Sequence, residues 1–198
     1  MSRFTSLRRR GLSLAEAIVA LAICAALLAC MAVAFSAAGN ATEMNDHFYR
    51  SLQQARTCMD LVTTTLRRCQ SVTSVSGTQV TFVSGPTDFN GGDTISITYY
   101  PSGQNDPFGN PSNGCITLSD THNGTVTTSF LIGESSTDGD SNPVVVSSAS
   151  FSPATGYVAS NGAITLNVTV QVGKYPIMNQ ITLSGSAAPR VNLTSAFQ

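Results

Sequence analysis

The sequence of 198 residues has no tryptophan, two histidines and a single lysine. Charged residues make up 11% of the chain, against about 25% in an average soluble domain. Five cysteines without a C-x-x-C pair, together with two histidines, leave little material for a metalloenzyme. The 42% share of hydrophobic residues excludes an intrinsically disordered chain. The length suits one domain with a short additional element.

The few charges are distributed unevenly. Residues 1–11 contain four arginines (Arg3, Arg8, Arg9 and Arg10) and no acidic residue. The rest of the chain has 6 basic and 11 acidic residues, a formal charge of −5. This acidic balance excludes a generally basic nucleic-acid-binding protein, so no nucleic-acid partner is expected.

A long apolar run follows the arginine cluster. Residues 12–38 form a stretch of 27 residues whose single charge is Glu16. About 20 apolar residues span a bilayer as a helix, so this run predicts a transmembrane helix. Basic residues on its N-terminal side predict a cytoplasmic N-terminus and a C-terminal domain outside the cytoplasm. Eleven of the 27 residues are alanine, which would allow neighbouring helices to approach closely.

Glu16 is the unusual residue of this segment, because an acidic side chain in a membrane helix costs about 2–3 kcal/mol and is normally functional. It stands five residues after Gly11, which itself follows three arginines. The sequence RRRGLSLAE (residues 8–16) and the following AIVALAI resemble the prepilin peptidase site of type IV pilins and pseudopilins. The resemblance identifies the chain as a candidate member of that family.

The resemblance implies a role for each matching residue. Prepilin peptidase would cleave after Gly11, and Leu12 would become the N-methylated first residue of the mature chain. Glu16 would be its fifth residue and would pair with the Leu12 amine of a neighbouring subunit, setting the register between subunits. The implied partners are prepilin peptidase, other pilin or pseudopilin subunits, the membrane, and an inner-membrane assembly platform with its ATPase. No catalytic residue and no cofactor are expected.

A finer similarity concerns the type of subunit. Val33 stands where major pilins often have proline, which favours a minor subunit. Residues 51–71 and the C-terminal end of the chain are similar to J-type pseudopilins and W-type minor pilins. The matching residues are Asp60, Leu61, Leu66, Arg67 and Arg190–Asn192. The resemblance thus implies a priming or tip component of a type IV pilus or a type II secretion pseudopilus in a bacterial inner membrane.

Two other processing sites overlap the apolar run. Residues 27–30 match a lipobox, in which Cys30 would be lipidated. Residues 32–34 match an A-x-A signal peptidase site, with cleavage after Ala34. Either one would give a lipoprotein or an adhesin instead of a filament subunit, and both leave Glu16 without a role.

The apolar pattern beyond residue 38 predicts that the helix continues. Apolar residues recur every three or four positions at Met44, Phe48, Leu52, Ala55, Met59, Val62, Leu66 and Cys69. This spacing indicates an amphipathic helix with one face to bury, which we expect to end near Val72.

Strand-like segments fill the remainder of the chain. Seven runs rich in Thr, Val, Ile and Ser begin at Thr78, Thr94, Cys115, Thr125, Val144, Ala163 and Asn179. Asn-Gly dipeptides, typical of tight turns, separate several of them. The expected architecture is α+β, a long N-terminal helix packed on antiparallel strands, which is also the pilin fold. Its expected parts are a leader (1–11), a transmembrane helix (12–38), an amphipathic helix (39–72) and a β-rich head (73–198).

The cysteines allow two interpretations. Cys58 and Cys69 lie about 16 Å apart on a continuous helix, beyond the reach of a disulfide. Cys115 could pair with either one, and Cys69–Cys115 is the preferred pair because Cys69 lies on the apolar stripe. The alternative is three buried free thiols.

Two polar motifs remain. Asp138, Asp140 and Asn142 have the spacing of the first half of a calcium loop, but the rest of that pattern is missing, so an acidic turn is expected and calcium is a weak candidate. Residues 119–122 (Ser-Asp-Thr-His) contain the residue types of a hydrolase triad. Adjacent in a predicted turn, they could not form the relay, so the chain is not expected to be an enzyme.

Overall fold

The structure, a computed structural model, describes residues 13–86, 89, 91–133, 144–153, 162–174 and 177–189. These residues form one helix and eight strands. The elements are α1 (Leu14–Arg68), β1 (Ser71–Val75), β2 (Gln79–Val83), β3 (Thr94–Tyr100), β4 (Cys115–His122), β5 (Thr125–Ile132), β6 (Val146–Ser152), β7 (Ile164–Lys174) and β8 (Ile177–Ala187). The predicted α+β architecture is confirmed: a long N-terminal helix packs on antiparallel strands. The chain divides into two compact units, Met1–Glu43 and Met44–Gln198.

The first unit contains the alanine-rich part of α1. Alanine and leucine have high helix propensity, which explains a regular helix over this stretch. The helix continues through Gly39, where an added Cβ would meet no atom within 4 Å. Its side chains are exposed along almost the whole length.

The second part of α1 belongs to the other unit and buries one face. Its buried residues are Ser51, Ala55, Cys58, Met59, Val62, Thr65 and Leu66. The predicted stripe is confirmed at Ala55, Met59, Val62 and Leu66, but Phe48 is 37% exposed, and Ser51, Cys58 and Thr65 were not part of the prediction. They form one core with the inward side chains of both sheets. Contact with β8 is close, because a Cβ on Gly185 would lie 2.7 Å from Met59 Cε.

The predicted end of the helix is wrong. α1 ends at Arg68, and Ser71–Val75 form strand β1 instead of a last helical turn. The backbone of Gln70 already donates a hydrogen bond to the Val83 carbonyl, which starts the pairing with β2. Residues 71–75 (SVTSV) are β-branched or carry a hydroxyl, and tertiary pairing with β2 outweighs the weak helical pattern.

The strands form two antiparallel sheets with the orders β1-β2-β3-β4-β5 and β6-β7-β8. Alternation along β2 and β3 sends Val80, Phe82, Ile95 and Ile97 into the core, and all four are completely buried. The seven predicted strands are all present, each beginning within two residues of its predicted start.

Glycine-containing turns and close contacts fix the connections. Asn123 and Gly124, with φ of 49° and 81°, join β4 to β5 in the left-handed conformation that tight hairpins require. The two sheets meet where Val146 of β6 donates to the Gly114 carbonyl at 3.1 Å. Gly133 permits a second close approach there, because a Cβ on it would lie 2.6 Å from the Gly114 oxygen.

Candidate functional sites on the helix and the five-stranded sheet

Glu16 caps the first turn of α1. Its Oε2 accepts a hydrogen bond from the backbone N–H of Ser13 at 2.9 Å. The Ser13 Oγ in turn accepts from the Glu16 N–H at 3.2 Å. This reciprocal pair is a capping box, which satisfies two backbone donors that the helix itself leaves free.

Sequence reasoning missed this contribution of Ser13, although the S-x-x-E signature before an apolar run was visible in residues 13–16. The cap gives Glu16 a role within its own helix. A carboxylate has about four lone-pair positions, so the bond to Ser13 leaves room for a further cationic partner.

The first part of α1 presents an uncovered apolar surface. Its large side chains are between 54% and 81% exposed. They are Leu14, Ile18, Val19, Leu21, Ile23, Leu27, Leu28, Met31, Val33 and Phe35. By length and composition α1 is a candidate membrane span, the one helix of this kind in the described part of the chain. An apolar surface of this size needs a membrane or other helices around it.

The predicted cleavage site lies outside the described residues. Gly11 and Leu12 come just before Ser13, the first described residue. Cleavage after Gly11 and methylation of Leu12 therefore stay predictions. The matching residues Arg190–Asn192 are also outside the described part.

The preferred disulfide is not formed. Cys58, Cys69 and Cys115 are buried free thiols, which agrees with the alternative interpretation. Burial raises the pKa of Cys58 to about 12 and that of Cys69 to about 11. Burial raises the pKa of Cys115 as well, and its sulfur accepts a hydrogen bond from Ser112 Oγ at 3.3 Å. Cys69 follows the end of α1 and Cys115 begins β4. Whether these two cysteines come close enough for a disulfide depends on tertiary contacts, which helix periodicity does not specify.

A polar cluster lies where β3 begins and β4 ends. The antiparallel register of these strands sets Asp93 opposite His122, and their Oδ1 and Nδ1 atoms lie 2.7 Å apart. Asn123 Nδ2 lies 2.9 Å from His122 Nε2. Because that amide nitrogen is a donor, a neutral imidazole carries its proton on Nδ1 and donates it to Asp93.

Asp120 shares this corner of the sheet, on the same face of β4 as His122. Burial raises the pKa of Asp120, the Asp93 charge raises it further, and His122 lowers it. Asp120 Oδ1 is buried without a hydrogen-bond partner among the described residues. The cluster thus contains two carboxylates but one imidazole.

The turn predicted for residues 119–122 is also wrong, because these residues are the end of strand β4. Strand alternation sends the side chains of Ser119 and His122 to opposite faces. Ser119 Oγ instead lies 2.9 Å from Thr128 Oγ1 on β5. The conclusion that these residues form no relay stands, for a different reason than adjacency in a turn.

The calcium candidates Asp138, Asp140 and Asn142 lie outside the described residues. Within the described part of the chain, no group of three His, Cys, Asp or Glu side chains could hold a metal ion.

The chain has no match among protein-family models, curated proteins or solved structures.

Proposed function

We propose that this protein is a structural subunit of a type IV pilus or a type II secretion pseudopilus. A cytoplasmic leader would be removed by prepilin peptidase after Gly11, and the mature chain would assemble through its N-terminal helix. The C-terminal domain would lie in the periplasm before assembly. The chain would have no catalytic activity of its own, and extraction from the membrane would depend on a separate assembly ATPase and platform protein.

One observation carries this proposal: an acidic residue stands at the head of a long apolar helix whose surface is exposed. Glu16 follows the RRRG sequence by five residues, and the apolar side chains after it are uncovered over about 20 residues. A plain membrane anchor needs the apolar surface but no carboxylate at this position. Packing between copies of the helix would bury that surface and give the carboxylate a cationic partner.

The cap on α1 is compatible with this role. In the proposed mature chain the α-amine of Leu12 would be protonated near pH 7, since its reference pKa is about 8. The Glu16 carboxylate would keep its bond to the Ser13 N–H and accept a second one from the amine of a neighbouring copy. A charge-assisted bond of this kind is worth about 1.5–3 kcal/mol, and leaving either charge unpaired in an apolar bundle costs more.

A minor subunit, acting in priming or at the tip, is the form of this proposal that we favour. The support is the similarity of residues 51–71 to J-type pseudopilins and W-type minor pilins, and the presence of Val33 where major pilins often have proline. A minor role predicts few copies per filament, which quantitative mass spectrometry of purified filaments would measure.

The decisive experiment is the intact mass and N-terminal peptide of the protein purified from its own membranes. We expect a chain that begins with N-methylated Leu12. A diacylglyceryl group on Cys30 would instead establish a lipoprotein, and a chain beginning at Phe35 would establish a released protein. Either of these results would overturn the filament proposal and leave Glu16 with its capping role alone.

A further inference from the structure

In the described part of the unit 44–198 the arginines are confined to α1, whereas carboxylates occur both on α1, at Asp46 and Asp60, and in the β-rich part. Every arginine whose side chain is described there lies on α1, at positions 50, 56, 67 and 68. The strands and their loops contribute further carboxylates and no described arginine; among these carboxylates are Asp93 and Asp120. From residue 44 onward α1 therefore has four arginines against two aspartates, whereas the corner of the five-stranded sheet that holds Asp93 and Asp120 is acidic.

A groove between α1 and β8 holds two of the arginines. Arg56, Asp60 and Arg67 line its helix side, and Leu183–Ser186 line its strand side. Arg67 Nη2 reaches the Ser186 carbonyl at 3.5 Å. Arg56 is exposed and forms no ion pair with any described residue. The groove therefore presents a guanidinium that forms no ion pair with a described carboxylate, although Asp60 lines the same groove one helical turn away.

The acidic corner presents the opposite charge. Asp120 has a buried Oδ1 without a described partner and forms no ion pair within the described part of the chain. Its neighbour on β5 is the exposed Thr127, and the exposed Asn123-Gly124 turn lies just beyond. The end of the β4–β5 hairpin thus offers a carboxyl group that forms no ion pair among the described residues.

We propose that the α1–β8 groove of one copy receives the β4–β5 hairpin of the next copy, with Arg56 facing Asp120. This inference rests on the proposed filament function and names one contact within it. Opposite potentials on two surfaces steer association and fix register. The two surfaces share no residue, so one copy uses both at once, and a contact between two different surfaces extends into a filament instead of closing as a twofold dimer.

A cross-linking experiment in the full-length protein tests the geometry. Cys24 and Cys30 are first changed to alanine. Two variants of this protein are then made, one with Arg56→Cys and the other with Thr127→Cys. Mild oxidation in the native membrane should give a disulfide-linked dimer when both variants are produced together. Each variant alone should give none, because the contact joins two different surfaces.

Exchange of the charges tests the energetics. Arg56→Asp and Asp120→Arg should each lower the sedimentable filament fraction about tenfold, because each sets like charges against one another. The double variant should recover most of this loss. Thr64→Asp, on the exposed part of α1 and outside the groove, adds a negative charge as a control and should assemble normally.

The outcomes separate this inference from the proposed function. Suppose that the chains begin with N-methylated Leu12 and form filaments, but that no mixed cross-link forms and the double variant gives no rescue. This result would overturn the proposed contact and leave the proposed function intact. A cross-link within either variant alone would replace it with a symmetric contact. A chain that keeps its leader and forms no filament would overturn both proposals.

Discussion

The two parts of α1 use the same backbone structure in opposite ways. From Leu14 to Phe35 the apolar side chains are exposed around the helix, and none of the large ones is buried. From Ser51 to Leu66 one face of the helix is buried against the sheets, whereas Leu61 on another face is 41% exposed. The first part therefore depends on surroundings that the chain itself does not supply, whereas the second part is stabilised by the core of its own domain.

Thiol reactivity should show the largest difference between the two parts. Cys24 and Cys30 are exposed, whereas burial raises the pKa of Cys58 to about 12. Compared with an unperturbed thiol, the thiolate fraction of Cys58 at pH 8 should be lower by about 1000-fold, since each pKa unit is a factor of ten. An apolar maleimide should label two cysteines in the folded protein in detergent and five after unfolding, as counted by mass spectrometry. Labelling of Cys58 before Cys24 would contradict this assignment of buried and exposed thiols.

Truncation of a leucine should lower the stability of the unit 44–198 only when that leucine lies in the second, buried part of α1. Leu66 is 1% exposed in the core, so Leu66→Ala should lower the free energy of unfolding by about 3 kcal/mol. Leu21 is 70% exposed, and Leu21→Ala should leave that free energy unchanged. Urea unfolding in detergent, followed by circular dichroism because tryptophan is absent, measures both. Equal losses for the two variants would contradict this difference between the two leucines.

Glu16 allows the cap and the proposed intersubunit pair to be separated. Glu16→Gln keeps a side-chain acceptor for the Ser13 N–H, and glutamine is compatible with a capping box. It removes the negative charge, so filament assembly should fall about thirtyfold, which corresponds to about 2 kcal/mol for a lost charge-assisted bond. Ser13→Ala is the matched control, because it weakens the cap and keeps the charge. Assembly that survives Glu16→Gln but is lost in Ser13→Ala would mean that the cap is the function of this glutamate.

The smallest expected effect concerns pH and is confined to the head. Because burial and Asp93 raise the pKa of Asp120, the folded chain binds a proton more tightly than the unfolded chain does. The contribution of Asp120 to the free energy of unfolding is therefore lost as the pH rises from the pKa of an ordinary aspartate through the raised pKa of Asp120 in the folded chain. Asp120→Asn should remove this pH dependence of the free energy of unfolding and should stabilise the head at pH 7.

Urea unfolding at several pH values measures the effect of Asp120→Asn. Asp60→Asn, which removes an equal charge from the exposed face of α1, is the control for net charge. A profile for Asp120→Asn that parallels the unchanged protein would show that Asp120 is not perturbed by its neighbours.

Much of the fold was predictable because its signals are local. The three- and four-residue spacing identified Ala55, Met59, Val62 and Leu66 on the buried face of α1, and runs of β-branched residues identified seven strands. Strand β1 was not predicted, because SVTSV is short, lies at the edge of the sheet, and becomes a strand only through its pairing with β2. The cap at Ser13 is also a local signal, because the S-x-x-E signature of residues 13–16 precedes an apolar run.

By itself, the sequence determined an apolar helix with an acidic residue near its start, an amphipathic continuation and a β-rich domain. These features follow from composition and periodicity, which act over a few residues. Only the tertiary structure decided that the cysteines stay free, that Asp93 faces His122, and that Arg56 and Asp120 belong to separate surfaces. Each of these depends on strand register and helix placement, which bring together residues far apart in the chain through contacts that local patterns do not encode.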